Sequence, residues 1–204
     1  MNRNPMLALR IRGFGIPTLM MLGAMLTGCA TSAPPLSYYL LHDVTENNAT
    51  RDSVSQNNPN ALVLINRVVL PDYLKQRGLV FQTSDTGIHI ATDHLWAEPM
   101  DEGLTKRLRD SLTHHNLELI THAMGAQEVD VYLTLRIDDF IASHQGDIIL
   151  RGEYFLSYAD EVDESARFHV SLPLPHDGFD TSVKVMRQAL ATLADKIASD
   201  INAK

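Results

Sequence analysis

The stretch Ala61–Pro71, ALVLINRVVLP, decides how the rest of the chain is read. Apolar residues occupy both alternations: Leu62, Leu64 and Val68 on one, Val63, Ile65 and Val69 on the other. Side chains alternate across a strand, so this strand is apolar on both faces and belongs at the centre of a sheet. Pro71 lacks a backbone donor and ends it.

Outward from it, LVFQTS (79–84) and GIHIATDHLWA (87–97) read as two strands joined by a turn. SYYLLHDV (37–44) reads as a first strand, and the polar segment 45–60, rich in turn formers, as a long mobile loop. In EPMDEGLTKRLRDSLTHHN (98–116), Met100, Leu104, Leu108 and Leu112 recur every fourth residue, the stripe of an amphipathic helix. Pro99 suits its start, and Asp101 and Glu102 suit its positive end. LELITH (117–122) is the next strand. Val129, Val131, Leu133, Leu135 and Ile137 then alternate with polar residues, the period of a half-buried strand. Segments 147–160 and 166–175 add two more strands as a meander. Phe179, Val183, Met186, Leu190, Leu193 and Ile197 close the chain with a second helix face. These elements predict an α+β fold: one mixed sheet of about six to eight strands with two main helices packed on one face.

The first 28 residues follow a different logic. Arg3, Arg10 and Arg12 precede the apolar run FGIPTLMMLGAML, and no acid precedes Cys29. This is the anatomy of a signal peptide, too short for an ordinary membrane helix of about 18 or more apolar residues. The run ends in Leu26-Thr27-Gly28-Cys29, which resembles the bacterial lipobox. That resemblance implies signal-peptidase recognition of Leu26, Thr27 and Gly28, a diacylglycerol on the Cys29 thiol and an acyl chain on its new amino terminus. Cys29 is the single cysteine, so an intramolecular disulfide is impossible. Each buried methylene of an acyl chain contributes roughly 0.8 kcal/mol, so two or three chains anchor a protein that has no span. Ala30, rather than aspartate, follows the cysteine, which by the same resemblance implies sorting to the periplasmic face of the outer membrane. The expected organisation is a signal peptide at 1–28, a tether at 29–36 and one domain at 37–204. The sequon Asn48-Ala49-Thr50 is coincidental in such a protein.

Of 204 residues, 45% are hydrophobic and 21% charged, and the formal net charge is −8. Losing residues 1–28 removes three arginines and leaves 14 basic against 25 acidic residues, a balance of −11. An acidic surface repels phosphate polymers, so nucleic acid is not an expected partner.

Candidate chemistry is sparse. Asp85-Thr86-Gly87 is similar to the aspartic-protease triplet, but that chemistry needs two aspartates in apolar surroundings, and a hairpin turn is the plainer reading. His94 and Glu98 are separated by a helix start at Pro99, and His114, His115 and His122 diverge, so no metal site is expected. Asp138 and Asp139 are a candidate carboxylate pair, but on a strand they point to opposite faces, so only one can enter a cleft. No nucleophile elbow or phosphate loop occurs, so no catalytic residue and no cofactor beyond the covalent lipid is expected.

The segment from Leu64 to Leu112 carries a distinctive pattern. A strand leads into Leu70-Pro71-Asp72-Tyr73-Leu74; two strands follow; then Trp96-Ala97-Glu98-Pro99-Met100 opens a helix. With Ser37–Leu41, this resembles the ABC-type transport auxiliary lipoprotein family, also called the PqiC/YmbA family. Met100 stands where leucine is usual. The resemblance implies a non-enzymatic outer-membrane lipoprotein of an intermembrane lipid transport system that supports envelope integrity. Its implied partners are a tunnel-forming MCE-domain protein (PqiB-like) and an inner-membrane protein (PqiA-like), with a homo-oligomer possible. Tyr73 and Trp96 are candidate partner contacts, since aromatics are enriched at interfaces. The plainer alternative has Trp96 packing helix on sheet and Pro71–Leu74 forming a tight turn. The rival functions are a freestanding structural envelope lipoprotein and a periplasmic hydrolase.

Overall fold

Alternating apolar residues make Val131–Ala142 the strand from which the sheet is built. In the computed structural model, which describes residues 35–44, 61–123, 128–158 and 163–204, Val131, Leu133, Leu135 and Ile137 are all buried. The elements in chain order are β1 (Ser37–Tyr39), β2 (Ala61–Val69), β3 (Gly78–Gln82), β4 (Ile88–Trp96), α1 (Met100–Thr113), β5 (Leu117–Ile120), β6 (Val131–Ala142), β7 (Asp147–Tyr158), β8 (Glu164–Pro173) and α2 (Phe179–Asn202). A single 3₁₀ turn, Asp72–Lys75, joins β2 to β3. Residues 1–34 and 45–60, including the expected signal peptide, lipobox and mobile loop, lie outside the described residues.

The eight described strands form one mixed sheet, as expected for the α+β class. β6 pairs antiparallel with β7 along its whole length, and β7 with β8, giving the meander. The other edge of β6 is shared. Its first half pairs parallel with β2, and its last residue, Ala142, pairs parallel with Phe81 of β3. β5 extends the sheet beyond β2, and β4 then β1 extend it beyond β3.

The helices cover one face. On α1, Leu104, Leu108 and Leu112 are fully buried, and each such leucine contributes about 1.5–3 kcal/mol by leaving water. On α2, Val183, Met186, Leu190, Leu193 and Ile197 are buried against the sheet. α1 and α2 touch, and His115 just past α1 reaches Asp195 of α2 at 2.8 Å. Pro35–Lys204 form a single compact unit.

Three local expectations are corrected. The first strand stops at Tyr39; Leu41 instead turns under α1, where it packs beside Gly103. β2 is central, but a bulge between Ile65 and Arg67 shifts the alternation, so Val68 joins the core and Val69 is exposed. A second bulge, between Ile137 and Asp139 in β6, breaks the regular alternation at the aspartate pair. Asp138 lies 3.4 Å from Arg136, and Asp139 pairs with Arg151, so both carboxylates end beside arginines.

Candidate functional site: an apolar cavity beside the amino-terminal edge

An apolar recess lies where β3 and the end of β6 meet the start of α2, with a volume of about 550 Å³. That lies within the range of roughly 300–1,000 Å³ typical of small-molecule sites. Leu74, Leu79, Trp96, Met100, Phe140 and Met186 form its floor, and each is at most 5% exposed. Phe81 and Phe179 form an edge-to-face pair on its wall, with ring centroids 5.8 Å apart.

The rim is polar. It comprises Gln82, Ser143, His144, Gln145, Asp177 and Ser182, drawn from β3, the β6–β7 turn and the approach to α2. His144 is tied across to Asp85 of the β3–β4 turn at 3.1 Å. That turn is a hairpin connection: the Thr83 N–H donates to the Gly87 carbonyl at 2.9 Å, as the Asp85-Thr86-Gly87 reading expects. Space at the mouth is open, since a β-carbon on Gly146 or Gly178 would meet no atom within 4 Å.

The rim serines are engaged with nearby backbone groups. The Ser182 hydroxyl donates to the Gly178 carbonyl at 3.0 Å, and the Ser143 hydroxyl accepts backbone N–H groups of Gln145 and Asp147. Neither serine is hydrogen-bonded to His144, whose partner is Asp85.

Trp96 lines this recess, and Tyr73 is not among its lining residues. Trp96 is 5% exposed, and its ring serves as cavity wall and core. Tyr73 is half-buried on the 3₁₀ turn; its hydroxyl donates to Asp139 at 3.0 Å. Burial first, and then the neighbouring Asp139 carboxylate, raise the Tyr73 phenol above its ordinary pKa.

A cluster that sequence spacing does not reveal binds the amino-terminal edge to the helices. Arg187 of α2 donates through Nη2 to the carbonyls of Leu40 and His42, each at 3.0 Å, and through Nε to Leu40 at 3.3 Å. Glu98, the acid of the WAEPM motif, accepts from His42 at 3.0 Å and pairs with Lys106 of α1. His94 has other partners: its ring stacks on Phe179 and its Nδ1 meets the Tyr39 hydroxyl at 2.8 Å. The four-residue stripe around Arg187 marks it as flanking a buried face, but its partners lie 145 and 147 positions away. Leu26, Thr27, Gly28 and Cys29 lie outside the described residues.

This layout recurs in solved structures. A crystal structure of an uncharacterized protein superposes with a TM-score of 0.68 at 28% identity, covering 82% of this chain and 99% of that one. A crystal structure of a Xanthomonas campestris protein superposes with a TM-score of 0.57 at 13% identity, covering 70% of this chain and 83% of that one, a likeness of fold alone. The intermembrane transport lipoprotein PqiC of Escherichia coli (strain K12) is 29% identical over 176 residues, 86% of this chain and 91% of that protein. PqiC of Shigella flexneri matches to the same extent. Residues 39–198, from the last residue of β1 to late in α2, match the family described as the ABC-type transport auxiliary lipoprotein component, and the chain belongs to that family.

Proposed function

We propose that the chain is a non-enzymatic outer-membrane lipoprotein of an MCE-protein-based intermembrane lipid transport system, and that it supports envelope integrity. Cys29, carrying a diacylglycerol and an N-acyl chain, holds it at the periplasmic face. Its partners are a tunnel-forming MCE-domain protein (PqiB-like) and an inner-membrane protein (PqiA-like), and self-association into a homo-oligomer is compatible with this role. The observation that carries the proposal is the family match over nearly the whole described fold, together with relatives named as intermembrane transport lipoproteins.

The geometry supports it in two ways. The polar rim of the cavity lacks a serine–histidine contact, which favours holding over catalysis. The Arg187 and Glu98 contacts fasten residues 40–42, just after β1, to both helices. A load applied through the anchor is thereby passed to the body of the domain. Tethering beside a bilayer also keeps a partner surface at high effective concentration.

The test is co-isolation from gently solubilised envelopes with an affinity tag on this chain. We expect the MCE-domain protein to co-elute, and to be lost from the eluate with the Cys29→Ser variant because that variant does not reach the outer membrane. Recovery of the lipoprotein alone, with the MCE-domain protein intact in the flow-through, would overturn the proposal.

A further inference from the structure

We infer that the cavity between β3, β6 and α2 binds one acyl chain of a glycerophospholipid, with the headgroup left outside the mouth. The inference rests on the transport role only for the source of the lipid; the site itself is argued from its walls.

The floor is built from apolar and aromatic side chains. Leu79, Trp96, Phe140 and Met186 present aliphatic, aromatic and thioether surface with no polar group to direct a hydrogen-bonding ligand inward, except the indole N–H. A hydrocarbon chain gains free energy from each methylene it buries and needs no directed partner. Methionine side chains, here Met100 and Met186, adapt to a flexible chain better than branched residues do.

The rim decides between a phospholipid and a free fatty acid. No described residue lining the cavity is a lysine or arginine, and His144 is already committed to Asp85. Asp177 adds negative charge at the mouth. A fatty acid would have to place its carboxylate near Asp177 with no lysine or arginine among the described lining residues, which is unfavourable. A phospholipid chain places only its neutral ester region at the rim, where Gln82 and Gln145 offer amide donors, and leaves its charged headgroup in water.

Phe179 on the cavity wall stacks on His94 and approaches the Tyr39 ring at 6.5 Å, so the cavity adjoins β1. β1 is the first strand of the domain, so this cavity wall lies near the start of the described chain.

The experiment uses the full lipoprotein reconstituted in vesicles of phosphatidylethanolamine and phosphatidylglycerol, doped with phosphatidylcholine bearing a diazirine near the end of one acyl chain. After illumination, adducts are mapped by peptide mass spectrometry. We expect them within 79–82, 140–146 and 179–186. Ala142→Trp and Ser182→Trp, two half-buried positions on the wall and rim, fill the space. Each should lower cavity adducts about tenfold or more, the loss that follows when two methylenes can no longer be buried. Circular dichroism identifies which variants remain folded, and either one suffices. Adducts confined to residues outside these segments, or cavity adducts unchanged in the folded variants, would overturn the inference. So would displacement of the label by palmitate but not by unlabelled phospholipid, which would assign the site to a free fatty acid. No transport partner is present in these vesicles, so the result judges the cavity alone, and co-isolation judges the transport role separately.

Discussion

The imidazole of His94 lies nearly parallel to the ring of Phe179, with centroids 3.9 Å apart and planes inclined by 20°. The contact joins β4, near the sheet edge, to the first turn of α2, and the Tyr39 hydroxyl closes it from β1. Three elements distant in sequence therefore meet at one aromatic cluster. Phe179→Ala removes the ring from all of them at once. We expect a loss of about 2–3 kcal/mol, less than a fully buried phenylalanine because the site is half-buried, read as a lower midpoint in urea.

Arg187 is the only link from α2 to the carbonyls of Leu40 and His42 among the hydrogen bonds described. Arg187→Ala should weaken the fold by about 2 kcal/mol, the scale of hydrogen bonds from a charged donor. Hydrogen exchange should quicken at amides 37–43 and stay unchanged late in α2. Arg187→Lys should fail to restore protection, because an ammonium cannot reproduce the fork that spans two carbonyls.

Gly152 sits opposite the bulge in β6. A β-carbon there would lie 2.1 Å from the Arg136 carbonyl oxygen and 2.9 Å from the Phe168 ring. Backbone cannot yield that much without opening the ladder between β6 and β7. Gly152→Ala should therefore cost about 3 kcal/mol or more, measured by denaturant unfolding, although the change adds a single methyl group.

Tyr154 is buried on β7, and its hydroxyl donates to Asp200 of α2. Burial, followed by the hydrogen bond to the Asp200 carboxylate, raises its pKa above the ordinary 10.0. The fold thus favours the protonated phenol. Its stabilisation is fully present below pH 10 and is lost as pH rises toward the folded-state value, because the unfolded chain ionises first. We expect unfolding midpoints to drop above pH 10 in the native protein and to drop less in Tyr154→Phe.

Much of this fold is legible in the chain. The period-two run from Val131 to Ile137 marks the central strand, and the stripes of Leu104, Leu108 and Leu112 and of Val183 to Ile197 mark both helices, because burial on one face imposes those periods. The failures are physical too. A bulge adds one residue to a strand without a compositional sign, so Val68 rather than Val69 reaches the core, and Asp138 and Asp139 both meet arginines. β1 ends early because Arg187, far along the chain, captures the carbonyls that a longer strand would have paired. The cavity was hidden for a similar reason. Met100 and Met186 fall on the apolar helix stripes, but only their packing with Trp96 and Phe140 leaves a space between them. Cys29 is the reverse case: its chemistry is read from neighbouring residues alone, and the fold adds nothing to it.

The lipid anchor is the claim on which location and partner access both depend. Its most direct measurement is intact mass spectrometry of the native amino terminus, taken from inner and outer membranes separated by density. We expect a mature chain beginning at Cys29, carrying a diacylglycerol and an amide-linked acyl chain, in the outer-membrane fraction. An unmodified chain beginning at Met1 and recovered in the soluble fraction would contradict it.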